Sequence, residues 1–360
     1  MPKLFAVIAI VLLSACSDLG YYWHSTQGHL SIMNKRVEIT TLLEKPDLDV
    51  ELRSRLLLVQ QIRRFSIDEL ALPDSGSYTD YVDLDRPYAL QNLFAAPEFS
   101  THLLSWCYPI VGCASYRGYY DEDLLADFVA DLEQQNVDIH IGEVPAYSTL
   151  GWFDDPVLSS FVNWTDYRLA GLLFHELTHQ RLYIDDDTQF NESLASAVQQ
   201  MGTELWLESL HRTDDIEQFR RWIAYRKAVV ALIEQTRTEL DVLYQTDIAE
   251  ALKRDKKQQI LAAAGEQHTS LAASLEYVGG FSRWFANGLN NAKLASVSAY
   301  SAYIPAFLNM MEAKQRNFAQ FFDTVETIGA LPEARRYECL AAWQLGNAQD
   351  DRLCLPQGSD

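Results

Sequence analysis

Glu192 stands thirteen positions beyond a His175-Glu176-Leu177-Thr178-His179 string, and no other feature limits what this chain can fold into as tightly. Two histidines four residues apart on a helix project from one face, so both imidazoles can reach one tetrahedral ion. The carboxylate after the first histidine lies beside that ion, where it can take a proton from an activated water. A third protein donor completes a catalytic zinc site and leaves the fourth position open. Glu192 is the candidate for that donor; the competing role for it is a carboxylate favoured by the helix dipole in a first turn.

The surroundings of the string favour the metal. Leu169 to Phe174 carry no charge and no proline, so the helix is expected to be buried. Two histidines and a glutamate are costly there unless a metal or hydrogen-bonding partners satisfy them. Gln180 to Ile184 are expected to finish this helix. Asp185, Asp186, Asp187 and Thr188 form a polar turn rich in N-cap residues. Phe190, Leu194, Ala195 and Val198 then recur at helical spacing. A second helix therefore starts near Thr188, with Glu192 in its first turn and able to face the first helix.

The N-terminus points to export. Lys3, an apolar run from Leu4 to Leu13 and Ser14-Ala15-Cys16 read as a signal peptide over residues 1–15, too short to span a bilayer. Leu13-Ser14-Ala15-Cys16 resembles a bacterial lipobox, which would make Cys16 the lipidated first residue. An ordinary secretory signal is the alternative. Ser17 after Cys16 directs the expectation to the outer membrane, with the protein facing the periplasm. Cys107, Cys113, Cys339 and Cys354 remain, and an oxidising periplasm allows disulfides. Four cysteines permit three pairings; Cys107–Cys113 and Cys339–Cys354 are the local ones. Fifty acidic residues against 29 basic ones give a net charge of −21, which argues against a nucleic-acid partner and against a basic membrane-binding face.

Along the chain, apolar spacing predicts two helices between Lys35 and Leu70 broken near Pro46, then a turn at Leu72 to Tyr78. Short strands are expected at Tyr88–Phe94 and Cys107–Val111. A helix over Glu122–Gln135 and a strand over Val137–Ile141 follow. From Ile216 to Tyr277 the pattern is that of two long antiparallel helices, a solvated hairpin rather than a catalytic element. Asn287 to Phe322 reads as further helices, and the segment holding Cys339 and Cys354 as irregular. The expected fold class is α+β, predominantly helical. It is one metallopeptidase domain over 16–360, with an α+β half to about residue 165 and a helical half from 166 carrying the metal. A small sheet beside such a helix resembles the thermolysin-like (gluzincin) zinc peptidases, whose edge strand binds extended substrate. Tyr147, Ser148, Thr149, Leu150 and Gly151 are the candidate strand, either as substrate edge or as plain core.

Several further strings strengthen a family resemblance. They are Trp106-Cys107-Tyr108-Pro109 with Gly112-Cys113, Tyr116-Arg117-Gly118-Tyr119, Ala146 to Phe153, Leu169 to Gln180, Phe190-Asn191-Glu192, Asn290 to Leu294 and Tyr303 to Phe307. Together they resemble, over nearly the whole exported chain, a bacterial family of predicted zinc aminopeptidases, mostly lipoproteins. The resemblance implies a peptide substrate, Zn²⁺ and removal of N-terminal residues; exopeptidase action rests on it alone. His175, His179 and Glu192 would hold the zinc, and Glu176 would act as general base. The oxyanion needs a further donor, for which Arg117, Tyr119, Tyr300 and Tyr303 are candidates. Glu143 is a candidate anchor for the substrate's α-ammonium. An envelope endopeptidase or a hydrolase of peptidoglycan stem peptides could use the same centre. A zinc-stabilised scaffold is the non-enzymatic alternative, although a structural zinc has no need of Glu176.

Overall fold

The computed structural model describes residues 20–108, 112–146, 153–277, 279–297, 302–346 and Cys354. The signal segment 1–15, Cys16, the candidate strand Tyr147–Gly151 and Tyr300 lie outside them. The chain is mostly helical, with small sheets.

The first half builds two sheets and the helices that cover them. Helix α1 (residues 20–33) leads into β1 (Val37–Glu38) and α2 (Ile39–Leu43), and Pro46 keeps α2 apart from α3 (Val50–Asp68). Asp49 starts α3 by accepting from Leu52 N at 2.9 Å, filling one of the helix's unpaired donors. Strand β2 (Asp80–Val82) pairs antiparallel with β1 and parallel with the later β8 (Val157–Leu158). Strand β3 (Leu90–Pro97) begins two residues later than its pattern suggested. After the β4–β5 hairpin (Trp106–Tyr108, Gly112–Ala114), β6 (Arg117–Tyr119) pairs antiparallel with β3 on one side. Strand β7 (Val137–Val144), which follows α4 (Glu122–Glu133), pairs antiparallel with β3 on the other. Leu93 and Ala95 of β3 pack there with Tyr119, Leu125 and Leu132. On α1, Tyr21 packs 5.6 Å from the Tyr119 ring, where the aromatic side chain finds apolar cover.

Short α5 (Ser159–Val162) leads into α6 (Asp166–Arg181), which with α7 (Thr188–Ser209) forms the centre of the helical half. Val82, Val157 and Leu158 of the small β1–β2–β8 sheet share one core with Leu169, Leu173 and Phe174 of α6. Two glycines let α6 and α7 approach closely. A Cβ on Gly202 would stand 2.7 Å from Leu70 Cδ1 and 3.1 Å from the Phe174 ring, and one on Gly171 would stand 3.1 Å from Gln199 Nε2.

Helices α8 (Thr213–Tyr244) and α9 (Glu250–Ser274) form the expected hairpin, but it is not merely solvated. Tyr225, Val229, Leu232, Ile233 and Leu240 of α8 make a second core with Leu261 of α9 and with Phe285 and Leu294. Those last two belong to α10 (Phe281–Ala286) and α11 (Asn291–Ala295). Helices α12 (Ile304–Ala313), α13 (Phe318–Gly329) and α14 (Glu333–Gln344) return to the first core. The segment around Cys339, expected to be irregular, is therefore helical. Its apolar face buries Cys339 and Leu340, and Cys339 is bonded to Cys354. The second disulfide, Cys107–Cys113, joins directly opposed residues of β4 and β5.

Candidate metal centre

Helix α6 ends at Arg181, where Leu182 turns to extended backbone, earlier than the expected Ile184. The turn that follows is tightly specified. Asp187 accepts from Phe190 N at 3.0 Å as the N-cap of α7. Asn191 closes the loop on both sides: its Oδ1 accepts from Ile184 N at 2.9 Å, and its Nδ2 donates to Ile184 O at 2.8 Å. From α14, Arg336 pairs with the Asp187 carboxylate and Tyr337 Oη donates to it at 2.5 Å. Helix α7 therefore starts at Thr188 as expected, and Glu192, its fifth residue, opens the second turn rather than the first.

This geometry brings His175, His179 and Glu192 together. Their donor atoms lie within 4.8 Å of one another and could hold a metal ion. The two Nε2 atoms are 3.3 Å apart. Glu192 Oε2 is 3.3 Å from His175 Nε2, and Oε1 is 3.5 Å from His179 Nε2. Donors about 2.1 Å from a tetrahedral ion stand roughly 3.4 Å apart, so the spacing suits such an ion. The charges suit it as well. Burial, reinforced by neighbouring His175, holds His179 down to about 4, so its imidazole is neutral at ordinary pH. Burial alone would raise Glu192, but its hydrogen bond to His175 and the surrounding positive charge hold it below the usual range, leaving it ionised. Burial alone would likewise lower His175; Glu192 and Glu176 reverse that and raise it. The His179 side chain is 4 % exposed, His175 17 % and Glu192 31 %, so the group opens to solvent on the Glu192 side. His179 Nδ1 has no hydrogen-bond partner among the described residues. Helix packing and the Tyr183 ring 6.1 Å away orient this imidazole instead.

Three neighbours escaped the sequence reading. Tyr78, buried and at φ +62°, has its phenol pushed well up by burial, by Glu176 and by Asp155. It is therefore a neutral hydroxyl near the Glu176 carboxylate. Tyr183 is 41 % exposed, and burial together with the charge on Glu192 raises its phenol. Arg226 of α8 acts electrostatically on both His175 and Glu192.

Other candidates lie elsewhere. The Arg117 guanidinium sits 4.1 Å from the Tyr21 ring centre and 4.5 Å from that of Phe128, and Tyr119 belongs to the same cluster on the β6–β3–β7 sheet. These two residues serve packing there, in a core distinct from that of α6. Glu143 is exposed on β7, where its charge acts on Tyr88. Tyr303 is close to α7: its N–H donates to Ser193 Oγ at 3.3 Å. Its ring stacks on Tyr337, 5.1 Å away, towards Asp187 rather than towards the three donors.

The closely packed α6–α7 pair thus brings two histidines and a carboxylate together in a group that could hold a metal ion. Residues 20–340 match the family model described as "putative aminopeptidase", and the chain belongs to that family. No curated protein and no solved structure matches.

Proposed function

We propose that the protein is a zinc-dependent aminopeptidase in which His175, His179 and Glu192 hold the ion and Glu176 is the general base. The spacing of the three donors, 3.3 to 3.5 Å for each pair, carries this reading. Family membership supports a peptide substrate. Zinc bound there would polarise the scissile carbonyl and bring the pKa of a water towards neutrality. The chain's own residues do the rest. Glu176 takes the proton from the attacking water and returns it to the departing amine. Tyr78, kept protonated by burial, steadies the Glu176 charge. Tyr183, at the solvent-facing side of the donors, is the described phenol placed to donate to the oxyanion.

The N-terminal signal and Cys16 support attachment to the outer membrane by lipid, facing the periplasm. Among the described residues no helix is long and apolar enough to cross a membrane.

The test is to measure bound zinc and the cleavage of aminoacyl arylamides by the wild type and by Glu176→Gln. Zinc retained with turnover lost by about a hundredfold or more is expected; full turnover in Glu176→Gln would overturn the assignment. Cleavage confined to N-blocked peptides would make the enzyme an endopeptidase instead.

A further inference from the structure

Arg226 acts on two of the three donors, and Arg168 acts on Arg226. Arg168 lies seven residues before His175 and hence on the same face of α6. Arg226 projects from α8. Each guanidinium lies over a tryptophan one turn earlier on its own helix or helix approach: Arg168 is 4.3 Å from the Trp164 ring centre and Arg226 is 5.7 Å from that of Trp222. Tyr167 joins the two helices, its ring 5.8 Å from Phe219 and 6.4 Å from Trp222. Both arginines thus spring from one aromatic junction and are held by indole faces.

Neither has a carboxylate partner among the described residues, although the chain carries 50 acidic residues against 29 basic ones. Eleven other arginines do have such partners. Both side chains are exposed; partial desolvation holds the Arg226 pKa down, the Glu192 charge works against that, and nearby Arg168 adds to it. Two like charges this close, with no carboxylate within ion-pair distance of either among the described residues, leave a place for an anion from outside to join them.

We propose that Arg168 and Arg226 form a clasp for a carboxylate on the leaving-group side of the scissile bond, so that the preferred substrates are short peptides with a free carboxylate there. The α-ammonium of an aminopeptidase substrate is repelled by two guanidiniums and so lies on the other side of the ion. The carboxylate comes from the peptide C-terminus or from an acidic side chain just beyond the scissile bond. A guanidinium binds either one through paired hydrogen bonds.

The clasp deepens the peptidase reading above, so it is tested by binding rather than by turnover. Calorimetry on the zinc-loaded full chain carrying Glu176→Gln would compare a tripeptide acid, its C-terminal amide and an amide with aspartate in second place. The acid is expected to bind about 10- to 100-fold more tightly than the plain amide, with the advantage shrinking as salt rises. Arg226→Gln and Arg168→Gln should each remove most of that advantage, and Arg226→Lys only part of it. Arg220→Gln, which loses an exposed pair with Glu204, should keep it. Tight binding of the aspartyl amide as well assigns the clasp to acidic side chains too; binding of the acid alone assigns it to the C-terminus. Equal binding of acid and amides, or an acid advantage that survives in both glutamine variants, overturns the clasp. Wild-type protein that binds the acid but cleaves nothing would overturn the peptidase reading and leave the clasp standing.

Discussion

Gln180, on the ligand helix, donates from Nε2 to Ser77 Oγ across 2.9 Å. Its Oε1 accepts from Ser75 Oγ at 2.8 Å, so one amide ties α6 to both ends of a short loop segment. Ser77 Oγ in turn accepts from Asp155 N at 3.0 Å. The bonds fix the loop that carries Tyr78 to the neighbourhood of Glu176.

Gln180→Ala is therefore expected to lower kcat on an aminoacyl arylamide by about tenfold while bound zinc stays near one equivalent. The stability loss should be about 1 kcal/mol, the usual worth of such a bond. Tyr78→Phe should lower kcat similarly with less effect on stability. Turnover unchanged in both variants would remove Tyr78 from the centre.

Chelation should abolish turnover and leave the far-ultraviolet circular dichroism unchanged, because α6 and α7 are held by packing and by the Asn191 and Asp187 bonds rather than by the ion. Glu192→Gln is expected to weaken zinc binding by more than roughly 100-fold, since losing even an outer-shell support costs a metal site about 10- to 100-fold. Competition against a chromogenic chelator measures it.

Gly202→Ala should cost about 1–3 kcal/mol, because the added Cβ falls 2.7 Å from Leu70 Cδ1 in a filled core. Denaturant unfolding measures this. Zinc affinity should fall as well, since the added Cβ also stands 3.1 Å from the ring of Phe174, the residue before His175 on α6.

Asp166, the first residue of α6, accepts from Arg55 and from Arg212, each at 2.6 Å. Burial alone would raise its carboxyl; the two guanidiniums outweigh that and hold it below the usual range. A depressed carboxyl contributes stability above its unfolded value, near 3.9, and loses it as pH falls through the lower folded value. Wild type should exceed Asp166→Asn by roughly 2 kcal/mol at pH 6, with the gap closing below about pH 4. Melting temperatures across that range would show it, and a gap independent of pH would refute it.

The legible parts of this protein were those set within one or two adjacent elements. His175, Glu176 and His179 follow from helical spacing alone. Glu192 needed only one further helix, whose start Asp187 and Thr188 announce. Arg226 and Tyr78 are different. The first lies 34 residues past Glu192 on a helix whose placement depends on the Tyr167–Phe219–Trp222 packing. The second needs a left-handed backbone and a loop fastened from α6. Arg117 and Tyr119 were candidates because both residue types can donate to an oxyanion, but here they make a packed aromatic core beside Tyr21. The helix at Glu333–Gln344 was missed because only a few large apolar side chains, Leu340 and Trp343 among them, dock it, and they stand among charged residues and small alanines.

Helix α8 gives its side chains to two cores in turn. Ile216 and Phe219 enter the first, and Val229 to Leu240 the second. At 1.5 Å per residue this helix of 32 residues is a rod of roughly 48 Å. Neither core can come apart without stripping or bending the rod that the other still grips. The described chain should therefore melt in a single calorimetric transition, its calorimetric and van't Hoff enthalpies agreeing, despite its length. Such coupling also means that damage near Leu240, far along the rod from the histidines, should be felt as heat lability of the whole enzyme.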